Sequence, residues 1–298
     1  MRNVKHARRG KASAGFTLVE LLVVIVIIGI LAALITVVAA NAVARANETA
    51  IKVELDNLAN SFMEYKNRYG AYPPNVQYLA LTGPQSQERD GNFQRHLRKA
   101  FPRHRETDAD IQSLLSLNPP LTPAESVWLF LRGFSPDPEH PLTGPGTRDG
   151  DTSASLERLF DFDEARLVPT RPWQPQNGAQ ITLMAYIPDG ITQPFVYFDT
   201  SRTLTTPEPY PVMPYYAPPT TTVPRVVPYL EQDPRNPSTR RFVNPDSFQI
   251  IAAGLDDDFG EPLTNPPGAP LVPEGPFIGG HSDNLANFSQ RNMEDSQP

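Results

Sequence analysis

Glu20 stands at the edge of a stretch, Leu21 to Ala40, that carries no charge. An ionisable group at the centre of a bilayer costs about 2.5–3.5 kcal/mol on insertion scales, so a carboxylate beside such a stretch is a functional candidate by default. Gly15 lies five residues before it, in the segment GFTLVE. A second set of acids sits in FQIIAAGLDDDFG, 248–260, where Asp256, Asp257 and Asp258 follow a predicted strand and Gly254. Three adjacent carboxylates repel one another unless they are exposed or share a cation. Calcium takes six to eight oxygen ligands from carboxylates and backbone carbonyls in loops of this kind. The loop is not an EF-hand, because Glu261 stands at the sixth position where that motif has glycine. A solvated acidic turn is the alternative reading.

Other chemistry finds no support. The chain has no cysteine, which removes disulfides, thiolate metal sites and cysteine nucleophiles. His6, His96, His104, His140 and His281 show no HxxxH spacing, and GPGTRD (144–149) fails the GxGxxG pattern. GGHSD (279–283) places His281 beside Ser282 and Asp283, but members of a catalytic triad rarely adjoin in sequence. No spacing supports a positioned acid, base and nucleophile, so the chain is not expected to be an enzyme.

The element that positions Glu20 is a helix. Twenty uncharged residues span about 30 Å as a helix, enough to cross a hydrocarbon core. Arg2, Lys5, Arg8, Arg9 and Lys11 precede it without an acid. Of 26 basic residues these five lie in 1–15, leaving 21 against 33 acids, a net of −12 for the remainder. A body this acidic argues against nucleic acid as a partner. A secretory signal would be cut at an Ala-x-Ala site in VVAANAVA (37–44), but the apolar run is long for one and Glu20 would have no purpose in it. A plain signal anchor puts the basic N-terminus in the cytoplasm and the rest outside. On either reading the chain would be a membrane-anchored binding module, uncut or cut near Ala42; an anchored hydrolase would need a pocket around His281.

The basic leader, GFTLVE and the run LLVVIVIIGILAAL together resemble the signal of type IV pilins and type II secretion pseudopilins. The resemblance is close over residues 1 to about 75 and loose at the far C-terminus. It implies that a prepilin peptidase cuts after Gly15, that the new terminus Phe16 is N-methylated, and that Glu20 guides assembly with copies of the chain and with other pilins or pseudopilins. A carboxylate four residues on can neutralise the new ammonium, in its own helix or a neighbour's, and it sits where the helix macrodipole favours an anion. Such a pair in low dielectric specifies register better than it adds stability. The resemblance also implies an inner-membrane protein, single pass, with a periplasmic or extracellular C-terminal domain. By likeness to the C-terminal loop of major pseudopilins, calcium would be held by Asp256, Asp258, a backbone carbonyl such as that of Leu255, and Asp283.

Ile51, Leu55, Leu58, Phe62, Tyr65 and Tyr69 recur at alternating spacings of four and three, an apolar stripe. No proline falls between Phe16 and Tyr72, so one helix of some fifty residues is allowed until Gly70 and YPP end it. Residues 1–15 read as leader, 16–44 as the membrane and filament-core helix, 45–72 as an amphipathic stalk, and 73–298 as the globular domain. NRYGAYPPN (67–75) resembles the region after the helix in major pseudopilins, which are much shorter, so about 85–245 reads as an insertion. Within it, 107–117 and 122–134 predict short helices, the latter with a capping box from Thr122 to Glu125. Residues 153–167 suggest a third helix, 181–188 and 194–199 a strand pair about Gly190, and 205–245 a Pro-rich loop. RHLRKAFPRHR (95–105) reads as a solvated face balanced by Glu106, Asp108 and Asp110. The expected class is α+β and pilin-like: a long N-terminal helix packed on a small antiparallel sheet.

Overall fold

The structure is a computed structural model that describes residues 16–74, 84–117, 121–176, 178–201, 213–214, 225–236, 240–260, 263–264, 267–268, 271–273, 275, 277 and 279–296. Helix α1 runs from Leu18 to Tyr69 without interruption. It stops where Gly70 adopts a φ of 80°, a left-handed value that lets the chain leave the helix without a Cβ clash. The chain forms two compact units, Met1–Ala46 and Asn47–Pro298.

In the first unit α1 is long and apolar enough to cross a membrane. Its large side chains from Leu18 to Ile35 are exposed, Leu18 at 79%.

In the second unit the predicted stripe is buried throughout, with Leu55, Leu58, Phe62 and Tyr65 at 0% exposure. The core is aromatic. Phe62 stacks on Tyr197 with ring centroids 4.2 Å apart and lies 5.6 Å from Phe248, while Tyr65 meets Phe130 edge-on at 5.9 Å. The opposite face is solvated at Asp56, Glu64, Lys66 and Arg68, but Glu54 turns out to be a tether. Arg166 forks onto both its oxygens, Nη1 to Oε2 at 2.7 Å, and the Tyr186 hydroxyl donates to Oε1 at 2.6 Å.

Three short helices follow: α2 (Pro84–Ala100), α3 (Asp108–Leu115) and α4 (Pro123–Leu131). Thr107 caps α3, and α4 opens with Pro123 behind the capping box formed by Thr122 and Glu125, as the sequence predicts. Helix α4 is buried on every side, against strands β2 (Ile181–Tyr186) and β3 (Val196–Asp199).

The sheets are small and mostly antiparallel, which gives an α+β layout. Strand β1 (Leu167–Trp173) pairs with β2, and β3 pairs with β8 (Phe248–Ala252), which also takes β12 (Leu285–Ala286). The expected pairing of β2 with β3 is therefore corrected. Gly190 does turn the chain, but one backbone bond, Phe195 to Tyr186 at 2.9 Å, links the two strands. Pro188 and Pro194 remove donors between them.

The helix expected over 153–167 is also absent. Only Glu164–Arg166 makes a 3₁₀ turn. The amide of Glu157 goes instead to the Phe134 carbonyl, and those of Leu159 and Phe160 go to Leu131, so the segment satisfies itself on the end of α4. Part of the predicted loop over 205–245 is core: Val226, Val227, Tyr229 and Leu230 are buried. Two-residue strands β4 (Met213–Pro214) and β5 (Arg225–Val226) pair there, and β6 (Leu230–Gln232) lies between β7 (Arg240–Phe242) and a parallel β11 (Leu271–Val272). The remaining pair is β9 (Leu263–Thr264) with β10 (Pro267–Gly268). The basic run 95–105 is not simply solvated: His96 is buried with its Nε2 2.8 Å from the Tyr65 hydroxyl. Glu106 acts on His104 of the run through its charge, but it is not part of a solvated face. That buried carboxylate accepts the amides of Leu142 and Thr143 at 2.6 and 3.0 Å.

Candidate functional site

Phe16 is exposed just before α1, and Gly15 lies outside the described residues. The start of α1 is built by a local pattern that the sequence carries and the spacing argument passed over. The Thr17 carbonyl accepts the Leu21 amide at 3.2 Å, which makes Thr17 the N-cap. Its hydroxyl oxygen accepts the Glu20 amide at 3.2 Å, while Glu20 Oε2 accepts the Thr17 amide at 2.9 Å and the Thr17 hydroxyl at 2.7 Å. This is a capping box on T-x-x-E, whose signature is Thr or Ser followed three residues later by Glu. Within one chain, Glu20 thus satisfies a helix-end donor. The box uses Oε2; among the described residues Oε1 accepts no hydrogen bond. One oxygen thus fixes the carboxylate one turn from Phe16.

The acidic loop is assembled by two approaching segments, 254–260 and 279–283. A Cβ on Gly254 would come within 2.0 Å of the Asp283 carboxyl carbon, and one on Gly260, whose φ is 80°, within 2.6 Å of the His281 ring. Only glycine permits this closeness. Asp257 takes φ 62° and accepts the amides of Thr192 and Gln193, both at 2.8 Å, so the central aspartate ties the loop to the turn after Gly190. That role was not legible, since neither the turn nor the contact is local in sequence.

Asp256 and Asp283 come together: the Asp256 amide donates to Asp283 Oδ2 at 3.0 Å. Asp283 Oδ1 is buried without a hydrogen-bond partner. Burial, reinforced by the nearby Asp256 carboxylate and opposed by the Asp256 amide, pushes the Asp283 carboxyl up to about 6. Asp258 does not join them as a third carboxylate. Its Oδ1 accepts the Gly260 amide at 3.0 Å, and its own amide goes to Asp256 Oδ1. Leu255 packs half-buried against the core. Among the described residues, no three His, Asp or Glu side chains form a group that could hold a metal ion. The Asp256–Asp283 pair nonetheless fits a hard cation chemically, because an orphaned carboxylate oxygen beside a second carboxylate is relieved by positive charge. Beside it, His281 is buried, Ser282 gives its hydroxyl to the Gly279 carbonyl at 2.9 Å, and Asp283 is engaged by Asp256.

Residues 10–36 match the prokaryotic N-terminal methylation motif. This is the processing signal of type IV pilin-like precursors, which prepilin peptidase cuts. A search of curated proteins gave no match, and neither did a search of solved structures.

Proposed function

We propose that the protein is a structural subunit of a filament, cut after Gly15, methylated on Phe16 and assembled through α1. The single observation that carries this reading is the Glu20 carboxylate held at the helix start with one oxygen open, four residues beyond Phe16 and inside the stretch that matches the methylation motif. In the assembled state that oxygen would meet the ammonium of Phe16 on a neighbouring subunit, and the match would set the register between helices. Before assembly the helix would hold the chain in the inner membrane, basic end inward, with the second unit outside. Among filaments, a type II secretion pseudopilus is preferred over an adhesive pilus because of the acidic loop. There we propose calcium, on Asp256 and Asp283 with backbone oxygens such as that of Leu255. The ion would neutralise the pair and join the two loop segments.

The test has two parts. Mass analysis of the N-terminus in cells that express prepilin peptidase is expected to find methyl-Phe16. A chain that stays whole supports an anchored binding module instead, and one that begins near Ala42 has lost its anchor and reads as a secreted binding module. Glu20→Gln is expected to leave cleavage intact and abolish filaments; undiminished filaments would overturn the assembly role. Because Gln also serves in a capping box, the variant removes the charge while keeping the helix start.

A further inference from the structure

The basic run 95–105 is held on a fixed frame. Phe93 and Leu97 of α2 are buried, His96 meets the Tyr65 hydroxyl, and the Phe101 ring lies 5.3 Å from that of Tyr69. With these groups anchored on the end of α1, Arg95, Arg98, Lys99 and Arg103 are left exposed. Lys99 donates to the Gly70 carbonyl at 2.7 Å, and Arg105 pairs with Glu139 at 3.2 Å. Arg98 and Arg103 form no ion pair among the described residues. The dipole at the C-terminus of α2 favours Arg98 in its last turn, but Arg103 lies beyond the helix, where that reason does not reach.

The second unit carries the opposite charge further back along α1. A groove of about 660 Å³ runs beside Ala50, Val53 and Asn57. Among the described residues its charged lining is Glu54, Asp161, Asp163 and Asp189 against one cation, Arg166. That guanidinium is already engaged by Glu54, Tyr186 and Asp163. Asp161 and Asp189 are exposed and form no ion pair among the described residues. Glu54 and Tyr69 mark the two places on α1 and stand about 22 Å apart along it, too far for the arginines to reach their own groove.

Two patches of opposite sign at different places on one chain are complementary between copies. A contact that joins one to the other is heterologous, and a heterologous contact that does not close on itself generates a filament. We propose that the basic end around Arg98 and Arg103 docks, head to tail, into the groove around Asp161 and Asp189 of a second copy. The choice of a second copy as occupant rests on the filament reading; the charges do not. Exposed ion pairs are individually weak, so the contact sets register and orientation between copies that α1 brings together.

The chain has no cysteine, so introduced thiols report the contact without background. Pro102→Cys lies exposed between Arg98 and Arg103, and Ala165→Cys lies exposed in the groove. The full chain carrying both, in cells that express prepilin peptidase, is treated with a short bismaleimide. It is expected to give a ladder of dimers, trimers and longer species, while each single-cysteine chain stays monomeric. Arg98→Glu/Arg103→Glu should cut the ladder at least tenfold, Asp161→Arg/Asp189→Arg likewise, and the four changes together should restore it. None of these four side chains makes an ion pair within the chain, so the melting temperature should hold throughout. The proposal is overturned if the parent pair gives no ladder, if single-cysteine chains cross-link as readily, if either reversal leaves the ladder unchanged, or if the four together do not restore it. A chain that gives no ladder but binds heparin through Arg98 and Arg103 would give the basic end to a polyanion instead. The two readings fail separately: methyl-Phe16 without a ladder removes the contact and leaves the filament, and a ladder on a chain that is never cut leaves the contact and removes the filament.

Discussion

Glu125 offers the sharpest test of how the second unit is held together. It is fully buried at the N-terminus of α4, and it serves two masters. Its Oε2 accepts the Thr122 amide at 2.9 Å to close the capping box, while Arg171 on β1 donates from Nε to Oε1 at 3.0 Å and from Nη2 to Oε2 at 2.8 Å. Thr170 adds a hydroxyl at 2.7 Å. Glu125→Gln retains an acceptor for the cap but removes the negative charge that faces the Arg171 guanidinium, whose side chain is only 14% exposed. Breaking a buried pair from one side costs about 3–5 kcal/mol. The residual exposure of Arg171 argues for the lower end, about 3 kcal/mol. For a unit of this size that is a fall in melting temperature of roughly 6–12 °C. Glu125→Ala also loses the cap, worth about 1 kcal/mol more. The double variant Glu125→Gln/Arg171→Met removes the uncompensated cation as well and should recover most of the loss. Urea unfolding of the full chain in detergent, followed by near-ultraviolet circular dichroism, measures each. If Glu125→Gln stays within about 0.5 kcal/mol of the parent, or the double variant is no better than the single, the desolvation argument is wrong.

Phe62→Ala removes a fully buried ring stacked on Tyr197, and should cost about 3–5 kcal/mol in the same unfolding assay. Calcium is expected to raise the melting temperature and EGTA to reverse it; Asp283→Asn should abolish the shift, whereas Asp258→Asn should leave most of it, and indifference of the parent chain to EGTA removes the metal. Asp151 is held at about 2 by the Ser153 hydroxyl and amide and by the Gly146 amide. Its folded value lies below its unfolded one, so its contribution is complete above about pH 4 and is lost as pH falls through 2. A carbon-detected NMR titration of the side chain should show that midpoint, and a value near 4 would mean the turn does not hold the carboxylate.

What the sequence determined by itself is everything that depends on neighbours three or four residues away. The α1 stripe from Ile51 to Tyr69, its end at Gly70, and the Thr122–Glu125 box were all legible, because helical periodicity and capping are local. The Thr17–Glu20 box is equally local, a T-x-x-E spacing present in the sequence. The tertiary structure decided the rest. Residues 153–167 have the composition of a helix, yet the free carbonyls at the end of α4 take the amides of Glu157, Leu159 and Phe160. Strand partners are contacts distant in sequence, and β2 went to β1 and β3 to β8. In the acidic loop the sequence supplied three aspartates of one kind, and the fold divided them: Asp256 to Asp283, Asp257 to the turn at Thr192, Asp258 to its own backbone at Gly260.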